Sequence, residues 1–264
     1  MKAEYFPNID PSKSNNIDVA INNDRIKSVD LPFTVRIVRT EEQLLEAVNI
    51  RTQTYRRHHP SLASLLEKPE QNDRTSDSLV LLAQSKSANL ALGTLRIETN
   101  LSKTLRAESL LVDAPKFRAR TVAFVTRLGV RQSSESQLVK IALFKALHRY
   151  CLAKQIDWIV VTAKPPMDRQ YLKLGFSDVY DSNVLIPIPW SDNIKTRLLS
   201  LETMQAESEW RSSNHPLYQF MIREYCPDIR IFDSVAGSWG QPRKDPLEQL
   251  QLKSILRQHS DTIS

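Results

Sequence analysis

"VAFVTRLGVRQSSES", residues 122–136, decides the fold. An apolar run of strand character ends at Arg131 and passes into a row of serines. A long helical pattern, residues 137–154, follows. Strand, polar turn and helix in that order often mark the place where a phosphate-bearing ligand is held, because the first N–H groups of a helix are unpaired and carry partial positive charge. Phosphate turns usually rely on glycine, which lets backbone approach an anion closely and adopts positive φ. Here Ser133, Ser134 and Ser136 occupy the turn instead. Ser134 and Gln137 have capping-box spacing and are expected to open the helix. A turn of this kind suits a single phosphate, held by hydroxyls, helix N–H groups and Arg131, better than a bulky pyrophosphate.

Working outward from this stretch, "FTVRIVR" (33–39) alternates as a strand, and a helix follows with Thr40 as its N-cap. A polar loop (67–77) leads to strands at 78–84 and 91–99, joined by a short hairpin loop and followed by a short helix or irregular segment at 101–120. After the long helix come a buried-strand run (157–163), a short helix (167–176) and a strand at 184–190. Residues 191–226 read as amphipathic helix. This order predicts an α+β or α/β domain over 31–235, a mixed sheet flanked by helices, with a helical extension at 191–232. Residues 1–30 read as a disordered arm and 236–264 as a charged tail with a helix at 246–258.

The chain has 264 residues, 41% hydrophobic and 25% charged, which is ordinary for a soluble globular protein. No apolar run approaches the roughly 18 residues of a membrane span. Cys151 and Cys226 lack a metal-ligand neighbourhood and read as reduced thiols of a cytoplasmic protein, with no metal site expected. A net charge of +6 favours an acidic partner, but the basic residues form no block and no nucleic-acid motif accompanies them, so nucleic acid is not the expected partner. The five histidines, including His58 and His59, read as surface residues.

The strand "FVTRLGV", the serine turn and the long helix resemble the cofactor-binding core of the GNAT acyltransferases, with Arg131, Ser134 and Ser136 at the positions of that motif. "YLKLGF" (171–176) resembles the superfamily's later Tyr-x-x-x-Gly-Phe signature, with Gly175 also a helix C-cap. A closer resemblance is to the N-acyl amino acid synthases and the related acyl-homoserine lactone synthases. It is carried by Arg51 and Tyr55 in an early helix and by Glu70, Asp73 and Asp77 in an acidic loop. Gly93 and Arg96 on one strand, and Thr126, Arg127, Leu128 and Val130 on the next, complete it. The match runs from about residue 33 to 190. It departs at Phe124, where those families carry glutamate; Glu98 is the substitute at hand.

The resemblance implies a GNAT-like fold and transfer of a fatty acyl group from an acyl carrier protein thioester to the α-amino group of an amino acid. Thr126, Arg127, Tyr171 and Glu98 are then the catalytic candidates, Tyr171 as proton donor to the leaving thiolate. Backbone of Leu128, Gly129 and Val130, with Arg131, Ser133 and Ser134, would hold the phosphopantetheine arm. Arg51, Asp73 and Arg96 would shape the acceptor end. Lys140, Lys145 and Arg149, or Lys116, Arg118 and Arg120, would dock the acidic carrier. The lipid product implies peripheral membrane contact. Coenzyme A thioesters are the alternative donor, and the rival readings are an acetyl-coenzyme A transferase and a non-catalytic carrier sensor. An S-adenosylmethionine-dependent lactone synthase ranks below these, because the strand glutamate is absent.

Overall fold

The computed structural model describes residues 27–57, 60–182, 184–189 and 194–232. In chain order the elements begin β1 (Lys27–Ser28), β2 (Phe33–Ile37), α1 (Glu41–Arg56), α2 (Pro60–Leu65), β3 (Ser78–Ser85), β4 (Ala91–Thr99) and β5 (Val122–Val130). They continue α3 (Ser136–Ala153), β6 (Trp158–Ala163), α4 (Asp168–Leu172), β7 (Ser177–Asp178), β8 (Leu185–Ile188), β9 (Ile194–Glu202), α5 (Ala206–Ser212), β10 (Glu224–Tyr225) and β11 (Ile229–Arg230). Short 3-10 turns lie at Gln71–Arg74, Arg106–Leu111 and Pro115–Phe117, and a π-helical turn at Gln219–Arg223.

One mixed sheet organises the chain, with strand order β11-β2-β3-β4-β5-β6-β9-β7 and β8 also on β9. β2 through β5 are antiparallel neighbours, and β5 and β6 are parallel, joined by the α3 crossover. β4 is buried along nearly its whole length because both sheet faces are covered there. On one face, α3 lays Val139, Ala142, Leu143 and Leu147 against Leu81, Leu95, Ile97, Ala123 and Val125. On the other face, α1 packs Leu44, Ala47, Val48 and Ile50 over Val80 and Leu82. Farther along that face, Leu110, Phe117, Phe124, Val160, Ile188 and Leu198 form a separate apolar cluster.

Several boundaries follow local chemistry. Thr40 caps α1 by accepting the Gln43 N–H at 3.3 Å, as expected. The Ser134–Gln137 capping box does not form: α3 starts at Ser136 with Glu135 at its N-cap and no side-chain cap. The Ser133 hydroxyl instead accepts the Glu135 N–H at 3.2 Å, because a turn separates the serines from the helix start. Cys151 and Cys226 are both free and buried.

The helical reading of 191–232 is corrected. Residues 194–202 form β9, which pairs with β6 from Trp158↔Glu202 to Ala163↔Arg197. Leucine, lysine and arginine gave "IKTRLLSLE" a helical look, but the segment is buried from Thr196 to Leu201 between two sheet neighbours, and tertiary pairing overrides a weak propensity. Among the described residues of this stretch, helix is confined to α5 and the π-helical turn. At the other end, Lys27–Ser28 pairs with Glu224–Tyr225, so residues from 27 onward join the fold. Residues 1–26 and 233–264, including the expected 246–258 helix, lie outside the described residues.

α5 is tied to the sheet through Gly175, whose φ is +92°. A Cβ there would lie 2.7 Å from Trp210 Nε1, and that indole donates to the Leu174 carbonyl at 3.0 Å. Gly175→Ala therefore adds both backbone strain and a collision. We expect it to cost roughly 1–3 kcal/mol, read from the urea midpoint. An unchanged midpoint would remove this anchor from the account.

Candidate active site

The site is built where β5 and β6 part. Their parallel pairing runs only from Val122↔Trp158 to Val125↔Val161, so Thr126–Val130 has β4 alone as its sheet neighbour. On the β4 side the register slips: Thr94 is matched to Gly129 and Arg96 to Thr126, which leaves two residues of β5, Arg127 and Leu128, opposite one of β4. This is a β-bulge, and Arg127 takes the left-handed conformation within it, with φ +56°. Gly129 lies under α1, where a Cβ would come 3.0 Å from the Arg51 Cα. Glycine at this position lets the helix press directly onto the bulged strand.

That helix delivers Arg51 into an ion network on the α1 face. Arg51 is 1% exposed, and its two terminal nitrogens reach the Asp73 carboxylate at 2.7 and 2.6 Å. Arg96, also buried in central strand β4, spans Asp73 at 3.1 Å, Glu70 at 2.9 Å and Glu98 at 2.9 Å. Its Nε donates to the Thr126 hydroxyl at 3.1 Å, which in turn donates to Glu98 at 3.1 Å. Arg127 forms a two-pronged pair with Glu70, 2.7 Å on each oxygen. Asn72 donates to the other Glu98 oxygen at 2.9 Å. Arg51, Arg96 and Arg127 are thus balanced by Glu70, Asp73 and Glu98.

Burial works to raise the Glu70 and Asp73 carboxyls, but the arginines outweigh it. Arg127 for Glu70 and Arg51 for Asp73 hold both below the ordinary carboxylate range. Burial likewise opposes the Arg127 cation, and the Glu70 hydrogen bonds and charge override it. Tyr55, one helical turn beyond Arg51, is pushed up by burial despite nearby Arg127 and Arg96.

The other expected site residues divide. Tyr171 is packed edge-on against Phe144 and Phe176, and burial, with the Tyr55 hydroxyl adding to it, raises its phenol. Arg131 gives its Nε to the Ala91 carbonyl at 3.3 Å and its N–H to Leu92, while Ser133 and Ser134 are exposed. Phe124 is 3% exposed within its apolar cluster, and Glu98 stands directly across from it on β4. Asp77 pairs with Lys103 at 2.9 Å, away from the arginines.

Lys145 is removed from the basic docking strip expected on α3. Lys145 is 2% exposed, its ammonium donating to the Phe220 and Glu224 carbonyls beneath the π-helical turn. Lys140 donates to Gln170, and Arg149 stacks 5.7 Å over the Phe232 ring. The chain after β9 folds back over α3, which periodicity within α3 had no means of signalling. His148 is buried too, contrary to a surface reading; its Nε2 sits 3.1 Å from the Thr203 carbonyl. His58 and His59 lie outside the described residues. Lys116 lies over the Phe117 and Trp158 rings, and Arg118 is exposed. Arg120 sits 3.7 Å from Asp157.

Glu70 holds Arg127 and Arg96, a part that the sequence reading did not single out. Its signal was the spacing Glu70-x-x-Asp73: the Glu70 N–H donates to Asp73 at 2.7 Å across a 3-10 turn, aiming both carboxylates at the sheet. Among the described residues, no group of three or more His, Cys, Asp or Glu is arranged to hold a metal ion, and no helix is long and apolar enough to cross a membrane.

No family model matches the chain, and no curated protein matches it. Among solved structures, it is similar to FeeM, an N-acyl amino acid synthase from uncultured soil microbes. The identity is 19% over 72% of this chain and 97% of that one, with a TM-score of 0.53. It also aligns with BjaI, a coenzyme A-dependent acyl-homoserine lactone synthase, at 14% identity over 83% of this chain and 99% of that one, TM-score 0.48. A GNAT-family protein from Desulfovibrio desulfuricans aligns at 10% identity over 65% of this chain and 99% of that one, TM-score 0.47. The fold is GNAT-like: a mixed central sheet flanked by helices, shared with the N-acyl amino acid synthase.

Because Glu70 and Asp73 titrate lower folded than unfolded, their contribution to stability is complete above their unfolded values near 4 and is lost as pH falls through the folded ones. The urea midpoint should hold from pH 7 to about 5 and then drop. Asp73→Ala, which strands the buried Arg51, should cost about 3–5 kcal/mol at pH 7 and flatten the acid limb. An acid limb identical to wild type would show that Asp73 does not carry it.

Proposed function

We propose that the protein transfers a fatty acyl group from a thioester donor, an acyl carrier protein first among them, to the α-amino group of an amino acid. The observation that carries this reading is the parting of β5 from β6 beside a bulged, half-unpaired strand. A thioester arm can lie in that gap and take hydrogen bonds from the Thr126–Val130 backbone, which has no partner strand on that side. Backbone donors fixed in this way stabilise the oxyanion formed when an amine attacks the thioester carbonyl.

The reaction breaks a C–S bond and forms a C–N bond, releasing a thiol and passing one proton from nitrogen. Glu98 is the base of this proposal. It stands across from Phe124, where the resembling families carry their glutamate, and its side chain retains 17% exposure beside Thr126. The amine must be neutral to attack, and a carboxylate reached directly or through one water accepts its proton. Arg51 and Asp73 are too deeply buried to touch an acceptor. With Arg96, they position Thr126, Glu98 and the bulge. Tyr171 is the proton donor of this proposal, its phenol returning the proton to the departing thiolate.

At the opposite end of the arm, the serine turn and Arg131 are read as a seat for one phosphate. The turn at 131–136 carries no glycine, which would let backbone approach a pyrophosphate closely. This favours a singly phosphorylated carrier arm over coenzyme A.

Mass spectrometry of lipid extracts from bacteria expressing the protein tests the reading. New N-acyl amino acids are expected with wild type, absent from an empty vector. Glu98→Gln should lower product roughly 100-fold or more at equal soluble protein. Undiminished product would dismiss Glu98 as base, and no product from wild type with either carrier or coenzyme A donors would sink the transferase reading itself.

A further inference from the structure

The ion network at β5 does not use every buried arginine. Arg197, on β9, is buried opposite Ala163, the last residue of β6, so it stands where that strand gives way to the α4 connection. Its Nε and one terminal nitrogen form a two-pronged pair with Asp178 on β7, at 2.5 and 2.6 Å. The other terminal nitrogen reaches Asp168, the first residue of α4, at 3.1 Å. One guanidinium therefore clips both ends of residues 168–178. Tyr171 lies between the clips.

The segment is wound tightly around that tyrosine. The Tyr171 carbonyl accepts the Leu174 and Phe176 N–H groups at 2.9 and 3.1 Å, and the ring rests edge-on against Phe144 at 5.6 Å and Phe176 at 5.7 Å. Asp168 also accepts the Arg169 N–H at 2.9 Å, which fixes its carboxylate at the head of α4. Three residues separate Asp168 from Tyr171, and two separate Phe176 from Asp178, so movement of either carboxylate is passed to the ring stack. Apolar packing is non-directional and by itself lets a ring slide. The planar guanidinium fork sets both distance and angle. Two carboxylates share this one arginine, and among the described residues no second cation pairs with either. A buried cluster of unequal charge contributes little stability over apolar packing of the same shape. What it supplies here is direction.

We infer that Arg197 is a positioning residue: through Asp168 and Asp178 it holds the Tyr171 phenol in one place. Its bearing on catalysis rests on the proposed reaction, in which that phenol returns a proton to the departing thiolate.

Two variants of the full chain test this. Arg197→Lys keeps the charge and loses the fork, while Asp168→Asn releases one clip and leaves the Asp178 pair intact. With 3-fluorotyrosine incorporated, the fluorine resonance of Tyr171 is identified by its loss in Tyr171→Phe. It should shift in both variants, and that of Tyr150, near the C-terminal end of α3, should not. A Tyr171 resonance unmoved in Arg197→Lys overturns the inference, whatever reaction the protein performs. In the acyl-transfer assay, Arg197→Lys should lower kcat roughly tenfold with donor KM unchanged. In a Tyr171→Phe background the same change should cost less than about twofold, because the group it positions is already gone. Equal losses in the two backgrounds would make Arg197 a merely structural residue and overturn the inference as well. Should Arg197→Lys not fold, Asp168→Asn carries the same two readouts. Wild type without turnover refutes the transferase reading alone, and the fluorine spectra still decide what holds Tyr171.

Discussion

The two-pronged pair of Arg51 with Asp73 is the constraint on which the site's geometry rests. Burying a guanidinium costs several kcal/mol unless its hydrogen bonds and charge are matched, and here the match fixes three elements at once. α1 must lie where Arg51 reaches inward, the 3-10 turn must present Asp73 and Glu70, and β4 must bring Arg96 between them. The bulge in β5 completes the set, since only with Arg127 turned into its left-handed conformation does that guanidinium meet Glu70. The strand edge that borders the gap is shaped by these charges.

Two apolar clusters flank this charged zone on one side of the sheet, while the opposite side is a single apolar core under α3. The division explains the placement of Phe124 and Glu98. Phe124 fills the apolar cluster beside the network, and Glu98, across the ladder, lies within reach of Arg96, Thr126 and Asn72. The carboxylate thus stays with the network while the ring closes the apolar cluster.

The sheet from β2 to β6 was legible in the sequence because its strands alternate or run apolar and its turns carry ordinary punctuation. Thr40 announced α1 by capping chemistry alone. β9 was not legible, because its leucines and charged residues suit a helix until β6 and β8 are present to pair with them. Lys145 was misread for a related reason: an α3 lysine looks solvent-facing unless the later turn whose carbonyls it binds is known. At the site, the arginines and acidic loop were identified by motif, but Glu70 as the partner of Arg127 was not. That pairing depends on a bulge of one residue, and no spacing rule foretells it.

The charge balance of the network also bears on how this protein can be redesigned. Each of its six ionised groups is matched by another, so none of them can be exchanged for a neutral residue without leaving its counterpart unpaired. Changes would have to be made in compensated sets, Arg51 together with Asp73 for example. The apolar cluster around Phe124 carries no such constraint and is open to graded changes in volume. An engineer would begin there and leave the ions alone.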